Sequence, residues 1–423
     1  MQILMPDAAD LALSGTAGLA CRSCGAPLHH SVVDLGLSPP CQSLVPPDRA
    51  AHGETFYPLH ALVCEACSLV QIHHDVDPGD IFSDYAYFSS YSDSWVEHAR
   101  RYVETVTDRF GLGPESLVVE IASNDGYLLQ HAVARGIPCL GVEPAANVAA
   151  VARERGIPTR VAFFDDDEAQ RMVGEGIRAD LLLGNNVLAH TPHLNAFVAG
   201  MKTLLAPEGV ITMEFPHLVE LIDGGQFDTI YHEHYSYFSF TAVRRVFARH
   251  GLDLFDVERL PTHGGSLRIY GCHAGTRPPE ARALTLLAEE AAWGVDRLAT
   301  YDAFAERTRE VKRGLLDFLI AAARDGKTVA GYGAPGKGNT LLNYCGIRTD
   351  LVAYTVDRNP VKQGTFTPGT RLPIYDPSHI FETKPDYLLL LPWNLRDEIA
   401  EQMSGIRAWG GQFVVPIPAV EVF

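Results

Sequence analysis

Residues 116–122 (SLVVEIA), 137–143 (IPCLGVE), 179–185 (ADLLLGN) and 209–215 (GVITMEF) are short, nearly continuous apolar runs. Runs of this length, bounded by turn formers, predict strands buried on both faces, as in a parallel sheet. The segments between them are amphipathic at helical spacing, so the pattern predicts a doubly wound α/β unit. Up to about residue 75, long periodic segments are missing and turn formers recur at LGLSPP and VPPDR. Beyond the central unit, a charged stretch from about 278 to 325 predicts one long helix. KTVAGYGAPGKGNTLLNY then repeats the strand, glycine-rich turn, helix order, and LVAYTVD, PDYLLLL and QFVVPI supply further strands. The pattern therefore divides the chain into 1–75, 76–300 and 301–423, the first small and turn-rich, the other two α/β.

A length of 423 residues suits two or three cores. With 47% hydrophobic and 20% charged residues, the composition is that of a soluble globular protein and not of a disordered one. No apolar run approaches the roughly 18 residues of a spanning helix. No basic residue precedes Arg22, so the charged start of a secretory signal is missing and a cytoplasmic location is expected. A net charge of −18 argues against nucleic-acid partners, whose binding is driven by basic surface. A small anionic ligand needs only a local group of cations, and the last block offers Lys337, Arg358, Lys362 and Arg371. A monomer without a membrane partner is expected.

Five of the eight cysteines (Cys21, Cys24, Cys41, Cys64 and Cys67) lie in the first block. CRSC at 21–24 and CEAC at 64–67 form a CxxC…CxxC pair, and two such knuckles complete a tetrahedral four-thiolate zinc site. A closed sulfur shell leaves no position for water, so Cys21, Cys24, Cys64 and Cys67 point to a zinc that supports folding. Cys41, His73 and His74 are nearby alternatives that the four cysteines make unnecessary.

Within the central unit, VVEIASNDGYLL (118–129) reads as strand, tight turn and helix start. Glu143, at the end of the next strand, can accept both ribose hydroxyls of an adenosine-containing cofactor. A nicotinamide dinucleotide needs several glycines to seat its pyrophosphate, and this turn has only Gly126. S-adenosylmethionine has no phosphate, so Asn124 is acceptable beside its amino-acid end, and Glu120 suits a cationic ligand. FFDDDE (163–168) stands where a third strand would deliver a polar group to adenine. Asn185 and Asn186 end the fourth strand beside the expected methyl position.

FDTIYHEHYSYFS (227–239) puts Tyr231, His232, Glu233, His234, Tyr235 and Tyr237 in one short stretch. Such a density of acid–base groups points to chemistry. A metal-binding HxH is the weaker alternative, because no other carboxylate–histidine group has ligand spacing around it.

Taken with the N-terminal CxxC pair, SSYSDSW, EIASNDG, GVEP, NNVLAH, YHEHYSYFS, HGGSLR (263–268), GYGAPGKGNTLLNY and VDRNPVKQG, the chain resembles the zinc-containing sugar C-methyltransferases of antibiotic deoxysugar biosynthesis over nearly its whole length. The resemblance implies a four-cysteine zinc domain, a central Rossmann-like class I methyltransferase domain and a second Rossmann-like α/β domain. It implies S-adenosylmethionine as methyl donor, S-adenosylhomocysteine as product, and a TDP-linked 4-keto-6-deoxysugar methylated at carbon 3 or, in some members, carbon 5. Ala122 departs from the glycine common in the wider fold. His234 is then the first candidate for the base, with Glu233 either orienting it or holding a sugar group. Tyr231 either donates to the enolate oxygen or shares the base role, and His190 donates from the other side. Tyr85 looks like a substrate contact. Lys337 in the last glycine-rich turn either faces the diphosphate or belongs to a dinucleotide-type fold kept for structure, and Arg268 is a second phosphate candidate. Two other classes stay open from the residues alone: an NAD-dependent sugar oxidoreductase using both glycine-rich turns, and a non-catalytic zinc-bearing interaction protein.

Overall fold

Three sheets organise the chain in a computed structural model, which describes residues 18–72, 76, 79 and 88–423. The first sheet takes β1 (His30–Ser38), β2 (Tyr57–Val63) and β3 (Val70–Ile72), all antiparallel. The central sheet takes β4 (Val118–Ile121), β5 (Cys139–Glu143), β6 (Thr159–Val161), β7 (Ala179–Asn185) and β8 (Leu205–Pro216). β9 (Ser236–Tyr237) lies within the central stretch of sequence yet pairs with β3, making the first sheet β1-β2-β3-β9. A hairpin of β10 (Leu252–Leu260) and β11 (Ser266–His273) completes the central sheet in the order β10-β11-β8-β7-β4-β5-β6. The four predicted central strands appear as β4, β5, β7 and β8, and the third strand as the three-residue β6.

β4 pairs in parallel with both β5 and β7, so connections leave it in opposite directions. That reversal opens a crevice at the carboxyl end of β4, where ligands of doubly wound sheets bind. The last sheet repeats the plan with β12 (Val329–Tyr332), β13 (Thr355–Val356), β14 (Ile374–Tyr375), β15 (Tyr387–Leu390), β16 (Gln412–Val415) and β17 (Glu421–Val422), in the order β14-β13-β12-β15-β16-β17. Among the described residues no helix is long and apolar enough to cross a membrane.

Helix α1 (Asp93–Phe110) starts where the Ser92 side chain accepts from the Trp95 N–H and stops at Gly111, whose φ of 63° suits a left-handed cap. Ala99, Tyr102, Val103 and Val106 give it one buried stripe. After α2 (Phe240–Arg249), the expected single long helix is two, α3 (Ala281–Trp293) and α4 (Ala299–Arg324). Gly294, at φ 98°, ends α3 in a conformation that a side chain would strain, which the charge pattern did not reveal. Helix α5 (Gly336–Cys345) follows the second glycine-rich turn.

The cores are shared between the blocks. Val33, Leu59 and Val70 of the first sheet pack in one cluster with Leu218, Tyr235, Tyr301 and Leu315, and with Leu341 of α5. Leu62 and Leu69, on the opposite side, join Leu188, Ala189 and Phe238. The first sheet is therefore wedged between the two α/β units.

Glu290 of α3 ties this core to α2. Its buried carboxylate accepts from the Phe240 N–H (2.7 Å), the Thr241 N–H (2.7 Å) and the Thr241 hydroxyl, and meets His217 Nε2 at 2.8 Å. Replacing it by alanine leaves buried donors without an acceptor. Glu290→Ala is expected to lower the unfolding free energy by about 3 kcal/mol, measured by urea denaturation; a change below about 1 kcal/mol would mean that the α2 start needs no such anchor.

Candidate active site

The Sγ atoms of Cys21, Cys24, Cys64 and Cys67 lie within 4.8 Å of one another, with 3.6 Å from Cys21 to Cys67 and 3.4 Å from Cys24 to Cys64. Zinc–sulfur bonds of ~2.3 Å set tetrahedral edges of ~3.8 Å, so the donor set fits a four-thiolate zinc. Gln71 supports it from β3, donating through Nε2 to Cys21 Sγ (3.2 Å) while its Oε1 accepts from the Arg22 N–H (2.9 Å). Cys41 is elsewhere, its thiol donating to Glu233 Oε1 at 3.4 Å. His73, His74 and Tyr85 lie outside the described residues.

At the carboxyl end of β4 the chain turns sharply. Ala122 (φ 55°), Asn124 (φ 49°) and Gly126 (φ 78°) all adopt left-handed backbone. The ribose candidate Glu143 holds this turn, accepting from the Asn124 N–H and the Ala145 N–H, each at 2.9 Å. A Cβ on Gly126 would stand 2.2 Å from Ile157 Cδ1, so a side chain there must displace the tip of Ile157 besides adopting the positive φ. Ala122 lacks that freedom and carries the strain of its positive φ.

Glu120 is 1% exposed, and neither carboxylate oxygen has a hydrogen-bond partner among the described residues. Burial, then the neighbouring Glu143 and Asp125, push its pKa up. A buried carboxyl pair of this kind needs a donor or a cation, and an ammonium or sulfonium ligand in the crevice meets that need. Asn124 has a different partner, its Oδ1 accepting from the Ser89 N–H at 2.8 Å. It therefore fastens the segment before α1 to the cofactor turn. Asp165 in FFDDDE caps a helix, accepting from the Glu168 N–H at 2.8 Å. Asn185 ends β7 and donates to the Tyr127 hydroxyl at 3.3 Å.

The histidine-rich segment crosses beside β7. The Tyr235 N–H donates to Ala189 O (2.8 Å), the Ile72 N–H donates to Tyr235 O (3.2 Å), and the Tyr235 hydroxyl donates to Val76 O (2.6 Å). Residue 235 thus links the β7 loop to β3, and β9 continues the link. His232 Nε2 reaches Pro58 O at 3.2 Å, pinning the same segment to β2.

His234 Nδ1 lies 2.9 Å from Thr229 O. A carbonyl only accepts, so Nδ1 carries the proton and Nε2 keeps its lone pair. Tyr231 lies against the ring with centroids 4.0 Å apart, and His190 meets it edge-on at 4.7 Å. Burial, then the nearby His190, hold the His234 pKa well below the usual histidine value, and burial pushes that of His190 down to about 4. Both rings stay neutral at pH 7. Because Thr229 orients His234, Glu233 does not. Buried against Cys41, Glu233 has its pKa raised by desolvation to about 7.

The second glycine-rich turn faces this group. Gly336, the first residue of α5, is so close that an added Cβ would lie 2.8 Å from Cys41 Sγ and 3.7 Å from Tyr231 Cζ. Lys337 donates to Asn394 Oδ1 (2.7 Å) over the Trp393 ring, and its field reaches His234 and His263. On its other side the turn is satisfied internally. The Ala334 N–H donates to Asp357 Oδ2 (2.8 Å), and Lys362 Nζ donates to Ala334 O (2.9 Å).

Arg268 corrects an expectation. It is 5% exposed, paired with Glu214 at 2.7 Å and stacked on the Tyr102 ring, so its charge belongs to a buried network and not to a phosphate. The expectation failed because the β strand register that turns residue 268 toward Glu214 of β8 is not visible in one strand alone. The sequence reading also assigned no role to His263, whose φ of 56° in the HGG turn places it beside Asn186. A histidine followed by two glycines is the signal that marks such a left-handed turn.

A family model described as a C-methyltransferase C-terminal domain matches residues 261–418, one described as a methyltransferase domain matches 95–257, and one for a zinc binding domain matches 21–82. The C-methyltransferase NovU of Streptomyces niveus is 38% identical over 406 residues, covering 95% of this chain and 96% of that protein. Among solved structures, the magnesium protoporphyrin IX methyltransferase of Synechocystis PCC 6803 with bound SAM is 16% identical, with a TM-score of 0.33, covering 43% of this chain and 82% of that chain. The CcbJ methyltransferase of Streptomyces caelestis is 14% identical, with a TM-score of 0.34, covering 42% and 90%.

Gly126→Ala is expected to destabilise the protein by about 1–3 kcal/mol through its φ and its collision with Ile157. Displacing the turn should also weaken S-adenosylhomocysteine binding, measured by calorimetry. Unchanged affinity would place the cofactor away from this turn.

Proposed function

This chain belongs to the C-methyltransferase family that includes NovU, and we propose that it methylates carbon 3 of a TDP-linked 4-keto-6-deoxysugar from S-adenosylmethionine. The observation that carries the reading is His234, a buried neutral imidazole with its Nδ1 proton donated to Thr229 and its Nε2 lone pair available.

A carbon beside a ketone is acidic because its anion delocalises onto oxygen. Each pKa unit between that carbon acid and its base costs about 1.4 kcal/mol, so a neutral histidine is insufficient by itself. A placed base contributes about 10²–10⁴-fold, and one donor to the developing oxyanion about 3–4 kcal/mol. His234 takes the proton. Its low pKa keeps the lone pair free, while the buried surroundings exclude competing water. Tyr231, packed on that ring, is placed to donate to the enolate oxygen, with His190 on the other side.

S-adenosylmethionine supplies an electrophilic methyl group on a sulfonium. Glu120 balances the positive end of that ligand, Glu143 takes the ribose hydroxyls, and the 122–126 turn and Asn185 shape the crevice. Lys337, at the start of α5, faces the diphosphate across the cleft between the two α/β units. The zinc cysteines hold the first sheet, to which the base-bearing segment is paired.

Incubation with TDP-4-keto-6-deoxysugars and isotopically labelled methyl donor, read by NMR, should place label on carbon 3; label on carbon 5 would shift the regiochemistry, and label on oxygen would reject the reading. His234→Asn should abolish turnover while S-adenosylhomocysteine still binds. Near-normal activity in that variant would move the base to Tyr231.

A further inference from the structure

His263 is held in place from several directions. Its backbone lies at φ 56°, ψ 19°, followed by Gly264 at φ 89° and Gly265 at φ 118°. Three contacts fix this left-handed turn. Gln226 Nε2 donates to Gly264 O (2.8 Å), the His217 N–H donates to Gly265 O (3.0 Å), and the Thr262 hydroxyl donates to Glu214 Oε1 (3.0 Å). Trp393 closes the turn from the last domain, standing 2.9 Å from where a Gly264 Cβ would be. Non-glycine residues held at positive φ cost about 1–3 kcal/mol and persist where surrounding structure imposes them, often at functional sites.

The ring is as constrained as the backbone. Its Nε2 lies 3.1 Å from Asn186 Nδ2, an amide nitrogen that can only donate. Nε2 is therefore the acceptor, and the proton of the neutral ring sits on Nδ1. Nδ1 has no hydrogen-bond partner among the described residues and the ring is half-buried, which leaves this N–H available to a ligand. Trp95 packs against the ring edge at 5.4 Å. Asn186 joins the ring to the carboxyl end of β7, on the methyl side of the crevice, and the His263 charge is felt by both His190 and His234. Burial and Lys337 lower its pKa to about 4, which keeps it a neutral hydrogen-bond donor at pH 7.

We propose that His263 is a catalytic residue, its Nδ1–H donating to the acceptor's ketone oxygen, where charge develops. The inference rests on the ketone-activated methyl transfer above. The C–H electron pair forms the carbon–carbon double bond as the proton passes to His234 Nε2, and the carbonyl π pair moves onto oxygen, facing His263. When the carbon takes the methyl group, the sulfur–methyl bond breaks with its pair left on sulfur, the carbonyl re-forms and the His263 hydrogen bond relaxes. A donor aimed where charge grows stabilises the transition state more than the ground state.

Deprotonation can be read without methyl transfer. The full-length protein, saturated with S-adenosylhomocysteine, is incubated in D₂O with TDP-4-keto-6-deoxyglucose, and deuterium entry beside the ketone is followed by NMR. His263→Gly removes the imidazole and accepts the positive φ without strain, so the turn should survive. Its deuterium entry and methyl transfer should fall about 10²–10³-fold, with S-adenosylhomocysteine affinity within about threefold of the parent protein and partial recovery on adding imidazole. His263→Asn, which also tolerates this backbone and keeps an N–H donor, should lie between the two. Deuterium entry in His263→Gly within about threefold of the parent would overturn the inference, as would a loss matched by lost cofactor binding. Absence of exchange in the unmodified protein would instead contradict the parent reading, and this one with it.

Discussion

The pairing of β3 with β9 is the constraint on which the rest of the site depends. Val70 opposes Tyr237 and Gln71 opposes Ser236, so a strand three residues past the zinc knuckle holds the strand two residues past His234. Through Tyr235, the same stretch hydrogen-bonds both to Ile72 and to Ala189, next to His190. A loop carrying several ionisable groups at 0–8% exposure would not stay folded inward unaided, since each buried polar group must keep a partner. The first sheet supplies two of those partners, Pro58 O to His232 and the Ile72 N–H to the Tyr235 carbonyl. Gln71 joins the two tasks in one residue, contacting Cys21 Sγ while its backbone belongs to β3.

Around that frame the electrostatics divide into two halves. On the cofactor side sit carboxylates with raised pKa values, Glu120 unpartnered and Glu143 bound to the turn, which favour a cationic ligand. Beside the histidine-rich segment sit His190, His234 and His263, all with lowered pKa values and so neutral, able to accept or donate protons without carrying charge of their own. Lys337 and Asp228 come from either side of the cleft, and burial drives both toward their neutral forms, Asp228 to about 6.

Local patterns in the sequence revealed what is local in the structure. Both α/β units, the metal knuckles and the glycine-dependent turn at 122–126 follow from apolar runs and spacing. What depends on distant pairing stayed hidden. Nothing near Ser236 and Tyr237 indicates that they join a sheet formed by residues 30–72, and nothing near Arg268 indicates that register turns it onto Glu214. Charge continues across Gly294, so the break there leaves no mark in the charge pattern. The resemblance leaves Glu233 either orienting His234 or holding a sugar group; Thr229 meets His234 and Glu233 meets Cys41, because side chains one residue apart point differently. Motif density marks Tyr231 and His234, and the family resemblance adds His190; the three rings meet in the structure.

The central claim is that the metal-bearing sheet holds the base-bearing segment, and amide hydrogen exchange tests it most directly. Protein stripped of zinc by a chelator is compared with the metal-loaded form. The account predicts that protection falls first at Ile72, Tyr235 and Tyr237, while Val119 and Leu182 of the central sheet stay protected and S-adenosylhomocysteine still binds. Unchanged protection at Tyr235 and Tyr237 in fully metal-free protein would contradict it.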